Sequence, residues 1–365
     1  MSKKVFIHVG FHKTGTSAIQ QSLSKRRKKL KSLGVTYPGS KYRAHHRAAW
    51  ALTGRYWGWK NRGGKKSPIK NWRNLLLTIK FARGTSIISS EFFSELQKAE
   101  VARVKRDFKG SDTQIIFTLR PLVKMLSSSY QQYVKYGLTA TYDEWLDDIF
   151  AADKKSKLSP TFWKRHNHPN VIGRWVNEFG KENVHVIIVD EKQPDFLYDS
   201  FNSLLGLPPK TLKEGTQKGS NRSLTYPEVS LILAINQAYP KDRQWDDYQM
   251  FIRNGAVKHL TDKVKPTPGE AKLNTPQWAV DKSLEITKAT ISQLREMGVH
   301  IHGDIDNMLS AEVPVGANPE LTAIPIATAA NILLAHKKSR IIKRFTSREI
   351  FTEALKRVAR VVKKS

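Results

Sequence analysis

The stretch Val5-Phe6-Ile7-His8-Val9-Gly10-Phe11-His12-Lys13-Thr14-Gly15-Thr16-Ser17 runs from a short apolar segment, through two glycines, into a helical pattern over 16–33. Continuous rather than alternating hydrophobicity at 5–9 predicts a strand covered on both faces, as in a parallel sheet. A strand, a glycine-bearing turn and a helix start together make an anion site. Free backbone N–H groups and the helix dipole point at one spot, and small residues let a phosphate approach. Gly10 and Gly15 have the GxxxxG spacing of the nucleoside-triphosphatase loop, but that motif continues with Lys and then Ser or Thr. Thr16 stands where the Lys belongs, and Lys13 lies inside the loop instead. The cation therefore meets a phosphate from a different point, while Thr16 and Ser17 can still touch its oxygens.

The rest of the chain repeats the strand–helix theme. Val/Ile-rich runs at 86–90, 114–119 and 184–189 alternate with helical patterns at 70–82, 94–108, 123–136 and 161–179. This alternation predicts an α/β fold with a P-loop-like central parallel sheet flanked by helices. After about residue 205 the strands are expected to stop. Helical patterns at 227–237, 280–297 and 321–336, with loops rich in Pro, Gly and Lys at 206–222 and 263–276, predict a helical C-terminal portion. The expected organisation is an α/β core over 1–223, a helical completion of the same domain over 224–336, and a basic amphipathic helix over 337–365.

Of the 365 residues, 62 are Lys or Arg and 32 are Asp or Glu, a net charge of +30, and 39% are hydrophobic. That apolar share is enough to bury a core and argues against wholesale disorder. The chain contains 0 Cys, which excludes disulfides, cysteine nucleophiles and Cys-ligated metals. No run approaches the ~18 apolar residues of a membrane span, and the apolar stretch 5–9 is too short for a signal-peptide core. A cytoplasmic protein is the expectation. The charge favours polyanionic partners: nucleic acid, an anionic membrane face, or a phosphorylated or sulfated substrate. It is clustered. Residues 55–73 hold seven Lys/Arg, three Trp and no acid; 337–365 hold eleven Lys/Arg and two Glu; and Lys25-Arg26-Arg27-Lys28-Lys29 sits in the first helical pattern.

The motif HVGFHKTGTSAIQ (8–20) resembles the 5′-phosphosulfate-binding loop of sulfotransferases that use 3′-phosphoadenosine 5′-phosphosulfate (PAPS), above all bacterial members with a His-Lys-Thr-Gly-Thr core. The resemblance implies that Lys13 contacts the bridging oxygen and steadies the leaving 5′-phosphate, with Thr14, Gly15, Thr16 and Ser17 cradling it. A second motif follows the strand at 114–119: Arg120, and Ser128 eight residues later in a helix. The family places its 3′-phosphate site on such a pair. Roughly two helical turns bring the hydroxyl back to the anion that the Arg fork holds. Here Pro121 follows the Arg directly, where many relatives have Asp or Asn first, so Ser127 and Ser129 stay open as contacts beside Ser128. VHVIIVDE (184–191) and LLGLP (204–208) are similar to the family's later strand and Leu-Gly-Leu turn. Asp190 would pass for a triphosphatase carboxylate were the matching Lys present. KGSNRS (218–223) sits where the family has a basic loop over the 3′-phosphate, which implies a cofactor contact for Arg222. The resemblance spans about residues 4–223.

Sulfuryl transfer needs a base for the acceptor's proton and positive charge at the leaving oxygen, and no metal. Glu91 ends the predicted strand at 86–90, on the edge where α/β sheets place their chemistry, and is the expected base. His12, in the loop and within reach of the sulfuryl group, is its rival, as are His45 and His46. His166 and His168 are poorly spaced for a metal and read as loop residues. No metal-ligand signature appears. The Trp-bearing basic stretch at 55–73 is expected to overhang the active edge, with indole faces for sugar rings and cations for an anionic glycan or glycolipid acceptor, by its hydroxyl or amine. Alternative readings are a P-loop kinase or NTPase and a basic nucleic-acid-binding protein, the latter without any reader motif. Thr346 and Glu349 have capping-box spacing, and Phe351, Leu355, Val358 and Val362 form one apolar stripe among cations. Such a helix either packs on the core or lies on an anionic membrane surface, which would place the protein peripherally at the inner membrane face.

Overall fold

The computed structural model describes residues 3–40, 43, 45–151, 156–212, 222–310, 312–321, 323 and 329. The expected helices at 321–336 and 337–365 and most of the basic loop at 218–223 lie outside the described residues.

Eight strands are present among them: β1 (Lys3–His8), β2 (Val35–Thr36), β3 (Tyr56–Trp57), β4 (Lys65–Lys66), β5 (Thr85–Ser89), β6 (Ser111–Leu119), β7 (Val184–Ile188) and β8 (His300–His302). Six form one sheet in the order β2-β5-β1-β6-β7-β8, every pair parallel, while β3 and β4 make a separate antiparallel hairpin. The expected α/β class and all four expected strands are found.

One expectation is corrected. Strands do not stop after residue 205: β8 pairs in parallel with β7, His185 opposite His300. Its His-Ile-His sequence carries no apolar run. The strand forms because the long helix Gln277–Met297 ends at Gly298, whose φ of 62° turns the chain back along β7. Two continuous helical patterns are also broken. Residues 16–33 split at Arg26 into Thr16–Lys25 and Arg27–Ser32, and residues 161–179 split at Asn167.

Alternate residues of each strand enter opposite cores, as a period of two demands. Val5, Ile7, Ile88, Ile115, Phe117, Val184 and Val186 face one core, with Trp72 and Val101 on two helices and Trp175 on a third. Phe6, Ile87, Ile116 and Ile187 face the other, against Ile19, Leu23 and Phe201. Helices after residue 205 mostly pack elsewhere. Tyr226–Ala238 and the residues from Trp245 to Lys263, which include a wide π-helical segment Gln249–Val257, join a third core with helices Leu122–Val134 and Tyr142–Phe150. Helix Gln277–Met297 spans two cores, with Ala279 in the third and Leu294 in the first.

This topology fixes where ligands go. From β1 the chain moves to β2 and β5 on one side, then crosses to β6 on the other. The crevice beyond the carboxyl ends of β1 and β6 is the topological switch point, where open α/β sheets bind ligands.

Candidate active site

The loop after β1 is held by side chains turned inward. Thr14 Oγ1 donates to the Phe11 carbonyl at 2.8 Å and pairs with Thr118 Oγ1 on β6 at 2.6 Å. Thr16 Oγ1 donates to the same carbonyl at 3.2 Å. Gly10 has φ 59°, and a Cβ there would lie 2.6 Å from Thr16 Oγ1, so the turn accepts no larger residue. Thr14 and Thr16 are both buried. Their hydroxyls therefore shape the loop, and an anion there meets backbone amides. The N–H of Thr14 closes a turn over His12 and Lys13, whereas among the described residues those of Lys13 and Gly15 form no hydrogen bond, and helix Thr16–Lys25 starts with its first donors unused, as helix starts do.

Lys13 is a non-glycine residue at φ 67°, a conformation costing roughly 1–2 kcal/mol. Arg120 Nη1 braces it by donating to the Lys13 carbonyl at 2.9 Å. The Lys13 ammonium is exposed by surface area yet ringed by protein, and touches Gln132 Oε1 at 3.4 Å. Desolvation lowers its pKa, Glu91 opposes that, and Arg43 and Arg120 assist it. A further cation lies close. Burial first, then the charges of Lys13 and Arg222, push Lys135 down to about 7.

Glu91 faces this loop. Ser90 accepts the Phe92 N–H and caps a 3₁₀ turn, Glu91–Glu95, in place of the helix expected from 94. The helix starts at Lys98 instead, with a Gln97/Glu100 capping box. Gln20 Nε2 donates to Glu91 Oε2 at 3.3 Å, and His46 Nε2 lies 3.4 Å from Oε1. Burial works to raise the Glu91 pKa, but the hydrogen bond and charge of His46 and the charge of His12 outweigh it. The carboxyl is held below the usual range.

His45 is removed from the candidate bases. Its Nε2 donates to the Pro38 carbonyl at 3.0 Å, its Nδ1 accepts the Ser89 N–H at 3.0 Å, and burial pushes it down to about 3. His12 has a partner that its sequence neighbourhood does not announce. Its Nε2 sits 2.9 Å from Oε1 of Glu95, a fully buried carboxylate that also binds Arg165 Nε at 3.0 Å and Arg55 Nη2. Burial and Arg165 lower the His12 pKa against the pull of Glu95.

The second motif lands on the same edge. Arg120 ends β6, its Nη2 pairs with Glu191 beyond β7, and its Nε is buried without a partner. Ser128 is half-buried on the following helix and bonds only to the carbonyls of Lys124 and Met125. Ser129 points inward to His166 Nε2 at 3.1 Å.

Three expectations are corrected. Arg222 does not offer donors to the loop. All five are taken: Nε by the Val264 carbonyl, the others by Ser223, Leu260 and both oxygens of buried Glu228. The indoles of 55–73 are not open platforms. Trp57 packs edge-on against Trp50 and Phe92, Trp59 donates to the Tyr136 carbonyl at 3.1 Å, and Trp72 is buried on Asp107. His166 and His168 are not loop residues; both are buried and flank the break at Asn167, where Pro169 admits only a new helix start.

Beside the residues expected from sequence at this edge (Lys13, Thr14, Gly15, Thr16, Ser17, Glu91, His12, Arg120 and Ser128) stand four that are not expected from it: Glu95, Arg165, Lys124 and Glu191. Glu95 alone carried a signal: it lies four residues beyond Glu91, behind two phenylalanines. Among the described residues no helix is long and apolar enough to cross a membrane.

No protein-family model matches the sequence, and no curated protein matches it. Among solved structures the chain is similar to a sulfotransferase from Alicyclobacillus acidocaldarius, with 18% identity over 68% of this chain and 100% of that one, at a TM-score of 0.43.

Proposed function

We propose that the protein is a sulfotransferase that moves a sulfuryl group from PAPS to a hydroxyl or amine of an anionic acceptor, a glycan or glycolipid. The observation that carries this reading is the meeting, at one sheet edge, of a loop with open amides, an internal lysine, an arginine with an orphaned donor, and an ionised carboxylate. The residues suit the donor substrate. Loop amides and Lys13 oppose the charge that builds on the 5′-phosphate as the S–O bond breaks, and Arg120 with Ser128 takes the 3′-phosphate.

The acceptor oxygen or nitrogen forms the new bond to sulfur and gives its proton to Glu91. A carboxylate this acidic is always ionised at working pH but holds a proton weakly. Support for an anionic acceptor comes from the net charge of +30 and the acid-free basic segment 55–73 rather than from indole stacking.

Calorimetry with 3′-phosphoadenosine 5′-phosphate against ATP tests the donor assignment. Clear preference for the bisphosphate is expected; equal or tighter ATP binding would return the loop to the kinase or NTPase reading. With radiolabelled donor and a panel of sugar and glycolipid acceptors, Glu91→Gln should lose on the order of 10²–10⁴ in turnover with little change in nucleotide affinity. Near-normal turnover would transfer the role to His12 or His46.

A further inference from the structure

Arg120 lies in the turn between β6 and helix Leu122–Val134, and Lys124 in the first turn of that helix. Both reach a single carboxylate, Glu191, in the turn after β7. The cations are mostly covered, 24% and 19% exposed, whereas Glu191 is 49% exposed. The three line an open pocket with Lys192 and Asn307. Ser128 stands one turn after Lys124 on the same helical face. The guanidinium is not saturated by this arrangement, because its Nε is buried with no partner. Asp190 lines the pocket too, but its oxygens accept the Lys192 N–H and Gln193 Nε2, and Glu312 acts on Lys124 through space, so Glu191 is the carboxylate in contact with both cations. A phosphate, with three acceptor oxygens and up to two charges, matches them better.

Resting on the sulfotransferase reading above, we propose that Lys124 joins Arg120 in binding the nucleotide's 3′-phosphate, and that the Glu191 carboxylate is a built-in competitor which the phosphate must displace. Binding at this subsite is then an exchange of one anion for another. The tether lets Glu191 compete without the entropic cost of a free anion. Its exposure keeps the competition weak enough to be overcome. The device favours ligands that carry the extra phosphate over nucleotides that lack it, since only a stronger anion dislodges the carboxylate.

The test is calorimetry on the full chain with 3′-phosphoadenosine 5′-phosphate, adenosine 5′-phosphate and inorganic phosphate. Glu191→Gln should tighten the bisphosphate by about 3–10-fold, the scale of a partly exposed double contact, and leave adenosine 5′-phosphate unchanged. Lys124→Met should weaken the bisphosphate by about tenfold or more, as loss of a charged phosphate contact does. Glu312→Gln is the control. It makes the same charge change within the electrostatic reach of Lys124, and should alter affinity by less than about twofold. An unchanged Glu191→Gln, an equal gain from Glu312→Gln, or an unaffected Lys124→Met overturns the proposal. If wild type prefers the bisphosphate but Glu191→Gln does nothing, the exchange falls and the sulfotransferase reading stands. If no form prefers the bisphosphate yet Glu191→Gln binds inorganic phosphate more tightly, the exchange stands and that reading falls. No binding by any form sinks both.

Discussion

Glu95 beneath the loop and Glu191 at its rim each gather cations from distant parts of the chain, yet the two clusters are built for opposite purposes. Glu95 is fully buried and holds His12, Arg55 and Arg165, from three separate segments. Glu191 is half in water and holds two residues of one short stretch, the turn after β6 and the helix start that follows. Coulomb attraction between close charges weakens several-fold from interior to surface, and the penalty for leaving a charge unpaired weakens with it. The buried cluster is therefore a fixed joint that sets the pose of His12 and the 55–73 segment. The rim cluster is a contact that another anion can replace. Sequence composition treats both as a glutamate near basic residues; depth separates them.

The largest expected effect lies at the buried joint. Glu95→Gln leaves Arg55 and Arg165 without their counter-charge and should cost about 3–5 kcal/mol of stability. Urea unfolding measures it, and a loss below about 1 kcal/mol would erase the distinction between the clusters.

Acid exposes the same interior in a graded way. Burial pushes His8 and His45 down to about 3 and His168 down to about 4. Each is neutral in the folded protein and titrates near 6.5 when unfolded, so the unfolded state binds more protons between these values. Stability from these groups is fully present above about pH 6.5 and is lost as pH falls, by up to about 1.4 kcal/mol per pH unit for each. Glu91 and Glu95, held low in the fold, add their losses only below about 4.3, the ordinary Glu value. Denaturant midpoints measured from pH 8 to 4 should therefore decline before carboxylates titrate. A flat profile down to about pH 5 would show these histidines to be solvated.

The smallest effect belongs to the rim. Glu191→Gln should shift stability by less than about 1 kcal/mol, because the pair it breaks is half-exposed. A loss as large as that of Glu95→Gln would mark Glu191 as structural and would collapse the comparison.

Most of the fold was legible along the chain. The four central strands are continuous apolar runs, and no other local structure suits residues covered on both sides. The two short edge strands, β2 and β8, were not legible. They are two and three residues long and pair because helices deliver them to the sheet. At the site, Lys13, Glu91 and Arg120 could be placed because each follows a strand whose carboxyl end points at the same crevice. Arg222 was misplaced because a Gly-flanked arginine reads identically whether its fork meets a phosphate or, as here, the Glu228 carboxylate.

By itself, then, the sequence determined the features that depend on neighbours a few residues away: the strand–loop–helix unit from Lys3 to Lys25, the α/β alternation, and the helix carrying Ser128 eight residues after Arg120. Periodicity and turn chemistry are local properties, so a linear string contains them. Only the tertiary structure decided which charge meets which. Glu95 finds Arg165 seventy residues on, Lys124 finds Glu191 sixty-seven residues on, and Trp57 and Trp59 turn inward to the rings of Trp50 and Tyr248 on helices. Charge pairing acts over a few ångströms in space whatever the separation in sequence. Depth, which sets its strength, exists only once the sheet and its helices have closed around it.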